Sequence, residues 1–253
     1  MNPLWKSREN EIQSKEGAKP SFAVEGVPQL IQRILEVRGF SSKDQIDRLL
    51  FPKLADLKDP LSLKGMDIAV TRMVQAYKQD ETICIYADFD LDGTSGLALL
   101  KTGLLGLGFK KVLHYQPKRL SQGYGFHIEA VEELKNQGVS LIVTVDVGIT
   151  AVETVRRANE LGVDIILTDH HLPGEELPPA LTVVNPNQGT CPSGLGYLCG
   201  AGVAFYLLRA LKRAFVLDPY LPKTDFDLKD VLEFFTIGTL TDMVPLWMIT
   251  ESL

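Results

Sequence analysis

The sequence predicts an α/β fold, a parallel β-sheet flanked by helices, with a helical N-terminal arm. Three observations predict it. From residue 81 to about 215, short β-rich runs alternate with helical stretches, the rhythm of parallel strands joined by crossover helices. The acids and histidines that could carry chemistry fall at the ends of those runs, where ligands bind in an open parallel sheet. The first 80 residues lack the alternation and read as helix.

In the arm, assigned to residues 1–80, "VPQLIQRILEVRG" and "MDIAVTRMVQAYKQ" are helical, joined through the proline-containing "LLFPKLADLKDPLSLKG". The arm is expected to pack on an α/β domain spanning 81–253. There "TICIYA" (82–87) is a strand ending at acids; "GTSG" breaks it, and "LALLKTGLLGLG" is a helix. "KVLHYQP" (111–117) is a strand leading to the loop "KRLSQGYGFH", and "IEAVEELKNQG" an amphipathic helix ending at Gly138. "SLIVTVD" (140–146), "DIILTD" (164–169) and "LTVVNP" (181–186) are strands, and "AVETVRRANELG" is a helix closed by Gly162. Val203, Leu207, Ala210, Leu211, Ala214 and Phe215 form one apolar stripe at helical spacing. "DLKDVLEFFTIGTL" is a last helix running up to Asp242.

At 253 residues, 45% hydrophobic and 23% charged, the chain is of ordinary soluble globular composition. No apolar run reaches the roughly 18 residues of a transmembrane helix, and the polar N-terminus shows no secretory signal. Cys84, Cys191 and Cys199 are an odd set without a CxxC pair, which argues against a disulfide framework or zinc ribbon and for a reducing cytoplasm. The net charge of −6 argues against a broad basic nucleic-acid face. Setting six aspartates aside for one site leaves 26 acids against 26 bases, so the acidity is expected to be local.

"ADFDLDGTSG" places Asp88, Asp90 and Asp92 at alternate positions, so that in an extended segment they share one side. It has the acids and Gly93 of an EF-hand loop, yet Leu99 stands where that loop needs a bidentate glutamate, and a strand enters it. Asp146 ends one further strand, and Asp169, His170 and His171 another. Two carboxylates 4 Å apart repel by about 4 kcal/mol at an effective dielectric of 20, so a cluster without lysine or arginine calls for metal. Mixed carboxylate and imidazole ligands suit Mn²⁺ better than Ca²⁺, with Mg²⁺ open. His114 reads as an ordinary surface or core histidine, and Cys84 as core. Lys118 and Arg119 are candidates for holding nucleic-acid phosphates. "GAGVAF" has Phe205 where a dinucleotide fingerprint needs glycine or alanine, and reads instead as close backbone packing or a phosphate-facing helix start.

In this order, "YADFDLDGTSG", "LIVTVDVGIT", "LTDHHLPGEELPPALTVVNPNQ", "GYLCGAGVAFYLLRAL" and "IGTLTDMVPL" resemble the motifs of the DHH phosphoesterase superfamily, and within it the RecJ single-strand-specific DNA exonucleases. "GYGFHIEAVEEL" and "DPLSLKGMDIAVTRM" are RecJ-like too, and the resemblance runs from about Leu30 to Leu246. It implies a site for two divalent metal ions, Mn²⁺ preferred or Mg²⁺, with Asp90, Asp92, Asp146, His170 and Asp242 as ligands and Asp146 as the bridge. Asp88 would assist the first metal; relatives outside RecJ place a histidine where this chain has Tyr86, which leaves that ligand set open. His171 would face the scissile phosphate with Asp169 behind it, and Gly200 and Gly202 would lie near the substrate.

The implied reaction is metal-dependent phosphodiester hydrolysis, 5′→3′ on single-stranded DNA, releasing 5′-mononucleotides in DNA repair and recombination. The implied partners are single-stranded DNA and, as in the family, single-strand-binding protein and a helicase, with no membrane. RecJ relatives continue into a DHH-associated domain and an OB-fold beyond the point where this chain ends, so a catalytic part with weak processive activity is expected. The alternatives are a DHH phosphoesterase of short oligonucleotides or cyclic dinucleotides, and a metal-free DHH-fold scaffold in a replication complex.

Overall fold

A computed structural model describes residues 24–40 and 42–245. The first 23 residues of the expected arm, and the expected domain's end from Leu246, lie outside the described residues. Five strands, β1 (Thr82–Ala87), β2 (Val112–Tyr115), β3 (Val139–Val145), β4 (Asp164–Thr168) and β5 (Thr182–Val184), form one sheet in the order β2-β1-β3-β4-β5. Every pairing is parallel. The helices are α1 (Gln29–Val37), α2 (Lys43–Leu50), α3 (Met66–Lys78), α4 (Leu91–Gly106), α5 (Ile128–Asn136), α6 (Val152–Glu160), α7 (Gly200–Leu217) and α8 (Leu232–Thr241).

Helices α3, α4 and α7 cover one face of the sheet, with α8 packed on α4 and α7; α5 and α6 cover the other. The central strands are therefore apolar throughout rather than alternating. Ile83, Cys84, Ile85, Tyr86, Leu141, Ile142, Val143, Ile165, Ile166 and Leu167 are all fully buried, and each large aliphatic side chain contributes roughly 1.5–3 kcal/mol by that burial. At the N-terminal rim the Arg72 guanidinium grips both oxygens of Glu81 (3.0 and 2.7 Å) and Asp164 Oδ2 (2.6 Å). That ties α3 to the starts of β1 and β4. Among the described residues no helix is long and apolar enough to cross a membrane.

Four details differ from the sequence-based expectations. The compact units divide between Lys58 and Asp59, not at residue 80, because α3 packs on β5 and α7 and so belongs to the α/β body. The earlier unit has its own small core of Val24, Leu35 and Ile46. It also contains α2, absent from the expected elements, started by a Ser42–Gln45 capping box. Helix α4 begins at Leu91, inside the acidic motif, because the Asp90 carboxylate caps it by accepting from Gly93 N–H at 2.9 Å. Finally, the last helix is broken: a 3₁₀ turn, Leu228–Val231, precedes α8.

Strand order places the site. From β1 the chain crosses to β2 on one side, and the next strand, β3, lies on the other. The crevice in such a sheet opens beyond the C-terminal ends of β1 and β3.

Candidate metal centre

Register brings the acids into a row. Ala87 pairs with Val145, and Val145 with Thr168, so Asp88, Asp146 and Asp169 leave adjacent strands side by side. Asp146 turns there with φ +63°, a conformation that few residues other than glycine adopt. Asp92 sits in the first turn of α4, so the three acids of "DFDLD" do not lie along one extended segment: Asp88 ends a strand, Asp90 caps a helix and Asp92 is helical. They converge nonetheless. Oxygens of Asp88, Asp90 and Asp146 lie within 4.8 Å of one another, as do ligand atoms of Asp92, His170 and Asp242, and of Asp146, His170 and His171.

The N-terminus of α7 completes the pocket. Gly200 and Ala201 N–H donate to the two Asp92 oxygens at 2.6 and 2.9 Å, where a helix N-terminus favours negative charge. This close docking requires glycine. A Cβ on Gly200 would stand 2.4 Å from Asp146 Cβ, and one on Gly238 would stand 2.5 Å from Asp92 Oδ1. Gly202 is likewise packed, against Leu198 and Phe235, with its N–H on Cys199 Sγ. Gly200 and Gly202 thus set the helix against the acids, and their N–H groups bond Asp92 Oδ2 and Cys199 Sγ.

Three orphaned atoms test whether the residues suit a cation. Among the described residues four side-chain atoms are buried without a hydrogen-bond partner: Asp88 Oδ1, Asp146 Oδ1 and His170 Nε2 here, and His127 Nε2 at the end of the loop after β2. His170 Nε2 is 3.1 Å from Asp146 Oδ1, 3.7 Å from Asp242 Oδ2 and 3.8 Å from Asp92 Oδ2. Buried polar atoms left bare are costly, and bare acceptors converging on a point fit a divalent ion. Burial, then the charges of Asp92, Asp90 and Asp169, push the Asp146 carboxyl up to about 10. Burial likewise raises Asp88 and Asp242.

Asp169 differs from these. Its oxygens accept from Ile149, His170 and His171 N–H and from His171 Nδ1 at 2.7 Å. Burial acts to raise its carboxyl, but the hydrogen bonds and charge of His171 hold it below the usual range. Asp169 in turn raises the His171 imidazole, whose ring is 57% exposed and so presents Nε2 outward.

Sequence reasoning passed over the residues that hold the backbone here. Asn185 Nδ2 donates to His171 O (2.9 Å) and Asn187 Nδ2 to His170 O (2.5 Å), while Gln116 Nε2 donates to Asp88 O (2.8 Å). Asparagine in a tight "NPNQ" loop after a strand was the available signal. Lys118 and Arg119 are exposed in the loop after β2, where the Arg119 guanidinium lies 5.6 Å from the Phe89 ring centre. Tyr86 takes no part in the metal trios. It is fully buried, its phenol raised by that burial, and its hydroxyl donates to Gly125 O at 2.9 Å. His114 pairs with Lys101, and Cys84 is core.

A family model described as "DHH family, N-terminal domain" matches residues 82–239. The single-stranded-DNA-specific exonuclease RecJ of Haemophilus influenzae is 38% identical over 218 residues, 86% of this chain and 37% of that protein. Its namesake in Bacillus subtilis is 40% identical over 217 residues, 86% of this chain and 26% of that protein. A crystal structure of exonuclease RecJ bound to manganese superposes with a TM-score of 0.65 at 37% identity, covering 77% of this chain and 46% of that one. The chain therefore spans well under half the length of these curated relatives.

Proposed function

The chain belongs to the DHH family, and from that premise we propose that it hydrolyses phosphodiester bonds with two divalent cations, Mn²⁺ preferred or Mg²⁺. Its substrate on this reading is single-stranded DNA, degraded 5′→3′ to 5′-mononucleotides in repair and recombination. The carrying observation is the set of bare buried atoms, Asp88 Oδ1, Asp146 Oδ1 and His170 Nε2. The names of the similar RecJ exonucleases supply the substrate, and the manganese-bound structure supplies the metal.

Asp88, Asp90 and Asp146 would hold one cation, and Asp92, His170 and Asp242 the other, with Asp146 beside His170 shared between them. When bound, such a pair activates water and stabilises charge on the attacking and leaving oxygens of an in-line displacement. Asp169 fixes the His171 ring through Nδ1–H and favours its charged form. The outward Nε2–H is then a donor for a non-bridging phosphate oxygen. The exposed Lys118 and Arg119 would engage backbone phosphates of the strand. Three free thiols accord with a reducing cytoplasm, where single-strand-binding protein and a helicase would be the partners that present the strand.

The test is a Mn²⁺-dependent assay on 5′-labelled single-stranded and duplex DNA, with Asp146→Ala as control. Metal-dependent release of 5′-mononucleotides from the single strand, lost in the control, is expected. Cleavage of dinucleotides or cyclic dinucleotides with long strands left intact would replace this reading with the short-substrate one. Absence of Mn²⁺ binding would replace it with a scaffold.

A further inference from the structure

Tyr86 and Tyr115 lie side by side on β1 and β2, rings stacked at 5.3 Å and 11°. Each hydroxyl holds a different part of the loop from Pro117 to His127. Tyr86 donates to Gly125 O at 2.9 Å, and its ring meets Phe126 edge-on at 4.7 Å. Tyr115 accepts from Gln122 Nε2 at 2.9 Å, and Gln122 Oε1 accepts from Lys118 N–H at 2.8 Å. Beyond these points the loop is exposed at Lys118, Arg119, Leu120 and Tyr124. It passes through Gly123 and Gly125 at φ +72° and +121°, conformations open to glycine and costly to other residues. Its backbone would wander without an anchor. From the anchored loop Tyr124 and Arg119 reach Phe89, at 4.3 and 5.6 Å, and Phe89 stands between Asp88 and Asp90.

We propose that the Tyr86–Tyr115 pair is a positioning latch, which fixes the loop of Lys118 and Arg119 against Phe89 and so sets where a polynucleotide's phosphates are gripped relative to the metal centre. The proposal rests on the nuclease reading for what the loop grips. The latch acts through the loop cations, not on the metal ligands. Tyr86 thereby has a role although it stands outside the metal trios. Strand alternation turns its ring with Cys84 into the core beneath α5, and only the hydroxyl emerges at the loop.

The experiment compares the full chain with Tyr86→Phe, which keeps the ring and deletes one hydrogen bond, and with Tyr115→Phe, which releases Gln122. For Tyr86→Phe, KM for a 5′-phosphorylated single-stranded oligonucleotide should rise roughly five- to tenfold, the worth of one buried hydrogen bond. Turnover and Mn²⁺ affinity by titration calorimetry should stay within twofold. The slope of log KM against log salt should fall by about 0.7 for each phosphate that the loop no longer neutralises, a readout that a general loss of stability would not move. Combined with Arg119→Ala, Tyr86→Phe should add less than twofold to KM, because both remove the same grip. Full multiplication of the two effects, a fall in turnover at unchanged KM, or weakened Mn²⁺ binding would overturn the latch. A wild-type chain that degrades no DNA defeats the nuclease reading separately. Hydrogen exchange then judges the latch: faster exchange of amides 118–126 in Tyr86→Phe keeps it, and unchanged exchange overturns it.

Discussion

Replacing Asp146 with asparagine should stabilise the metal-free protein while abolishing its response to metal. Asp146 is 2% exposed, and in the absence of a cation burial and its acidic neighbours push its carboxyl up to about 10. An acid whose folded pKa lies above its unfolded value of about 3.9 costs stability, and the cost grows as pH rises between the two values. At pH 7 the gap is roughly three pKa units at 1.36 kcal/mol each, on the order of 4 kcal/mol. Coulomb repulsion between two carboxylates 4 Å apart at an effective dielectric of 20 gives about the same figure. Asparagine keeps the shape and needs no proton to be neutral, so a gain of up to about 4 kcal/mol is expected. At 2–4 °C per kcal/mol for a domain of this size, that is a rise of about 10 °C in Tm. At pH 5, near the unfolded value, the gain should shrink to less than half. The assay is calorimetric unfolding in EDTA and in excess Mn²⁺, at both pH values. The wild type should gain stability with Mn²⁺, about 2.7 kcal/mol at a hundredfold excess over Kd, and the variant should gain none. A variant less stable than wild type in EDTA at pH 7, or equally responsive to Mn²⁺, would refute the reasoning.

Asp169→Asn removes the carboxylate that raises the His171 imidazole. Turnover should drop about 10- to 100-fold, as for other residues that orient a metal-site histidine, and the alkaline limb of the pH–rate profile should move to lower pH, with Mn²⁺ affinity less affected. Glu81→Gln breaks the N-terminal rim: the Arg72 hydrogen bond holds the Glu81 carboxyl below its usual value, and both side chains are nearly buried. Chemical denaturation at pH 7 should show a loss of about 3 kcal/mol. A depressed acid stabilises above its unfolded value and loses that contribution as pH falls through the folded one, so the difference from wild type should narrow below about pH 4.

The strands and the rim they end on were legible because they depend on local signals: unbroken apolar runs, and polar residues where the runs stop. "SLIVTVD" and "DIILTDHH" each mark their own C-terminal end by the acid that stops the apolar run. The start of α4 was not legible. "DFDLD" has the period of a strand, and what overrides it is the Asp90 cap together with the N–H groups of α7 that meet Asp92 from 108 residues away. Close packing at "GAGVAF" was readable, but its partner was not: a Cβ on Gly200 would meet Asp146, 54 residues away, at 2.4 Å. The α2 start was readable in Ser42 and Gln45 as a capping box. The role of Tyr86 was not, since it depends on which face of β1 the ring takes and on a loop partner 39 residues on.

The two rims of the sheet are built on opposite electrostatic principles, and that difference links stability to activity. At the N-terminal rim each buried charge has a partner: Arg72 satisfies Glu81 and Asp164, and Ser140 adds a hydroxyl to Glu81. At the C-terminal rim Asp88, Asp146, Asp242 and His170 are gathered with too few donors, and burial raises the three acids against ionisation. A protein evolving for stability alone would dilute that cluster with neutral residues. Retaining it costs stability, because the buried acids must hold protons until a multivalent cation replaces them, so metal affinity and metal-dependent stabilisation arise from the same bare oxygens. Cation binding to such raised acids must release protons. Titration calorimetry near pH 7 in buffers of different ionisation enthalpy should therefore give Mn²⁺ heats that differ from buffer to buffer. Heats independent of the buffer would mean that the acids are already ionised near pH 7, so that burial does not hold protons on them.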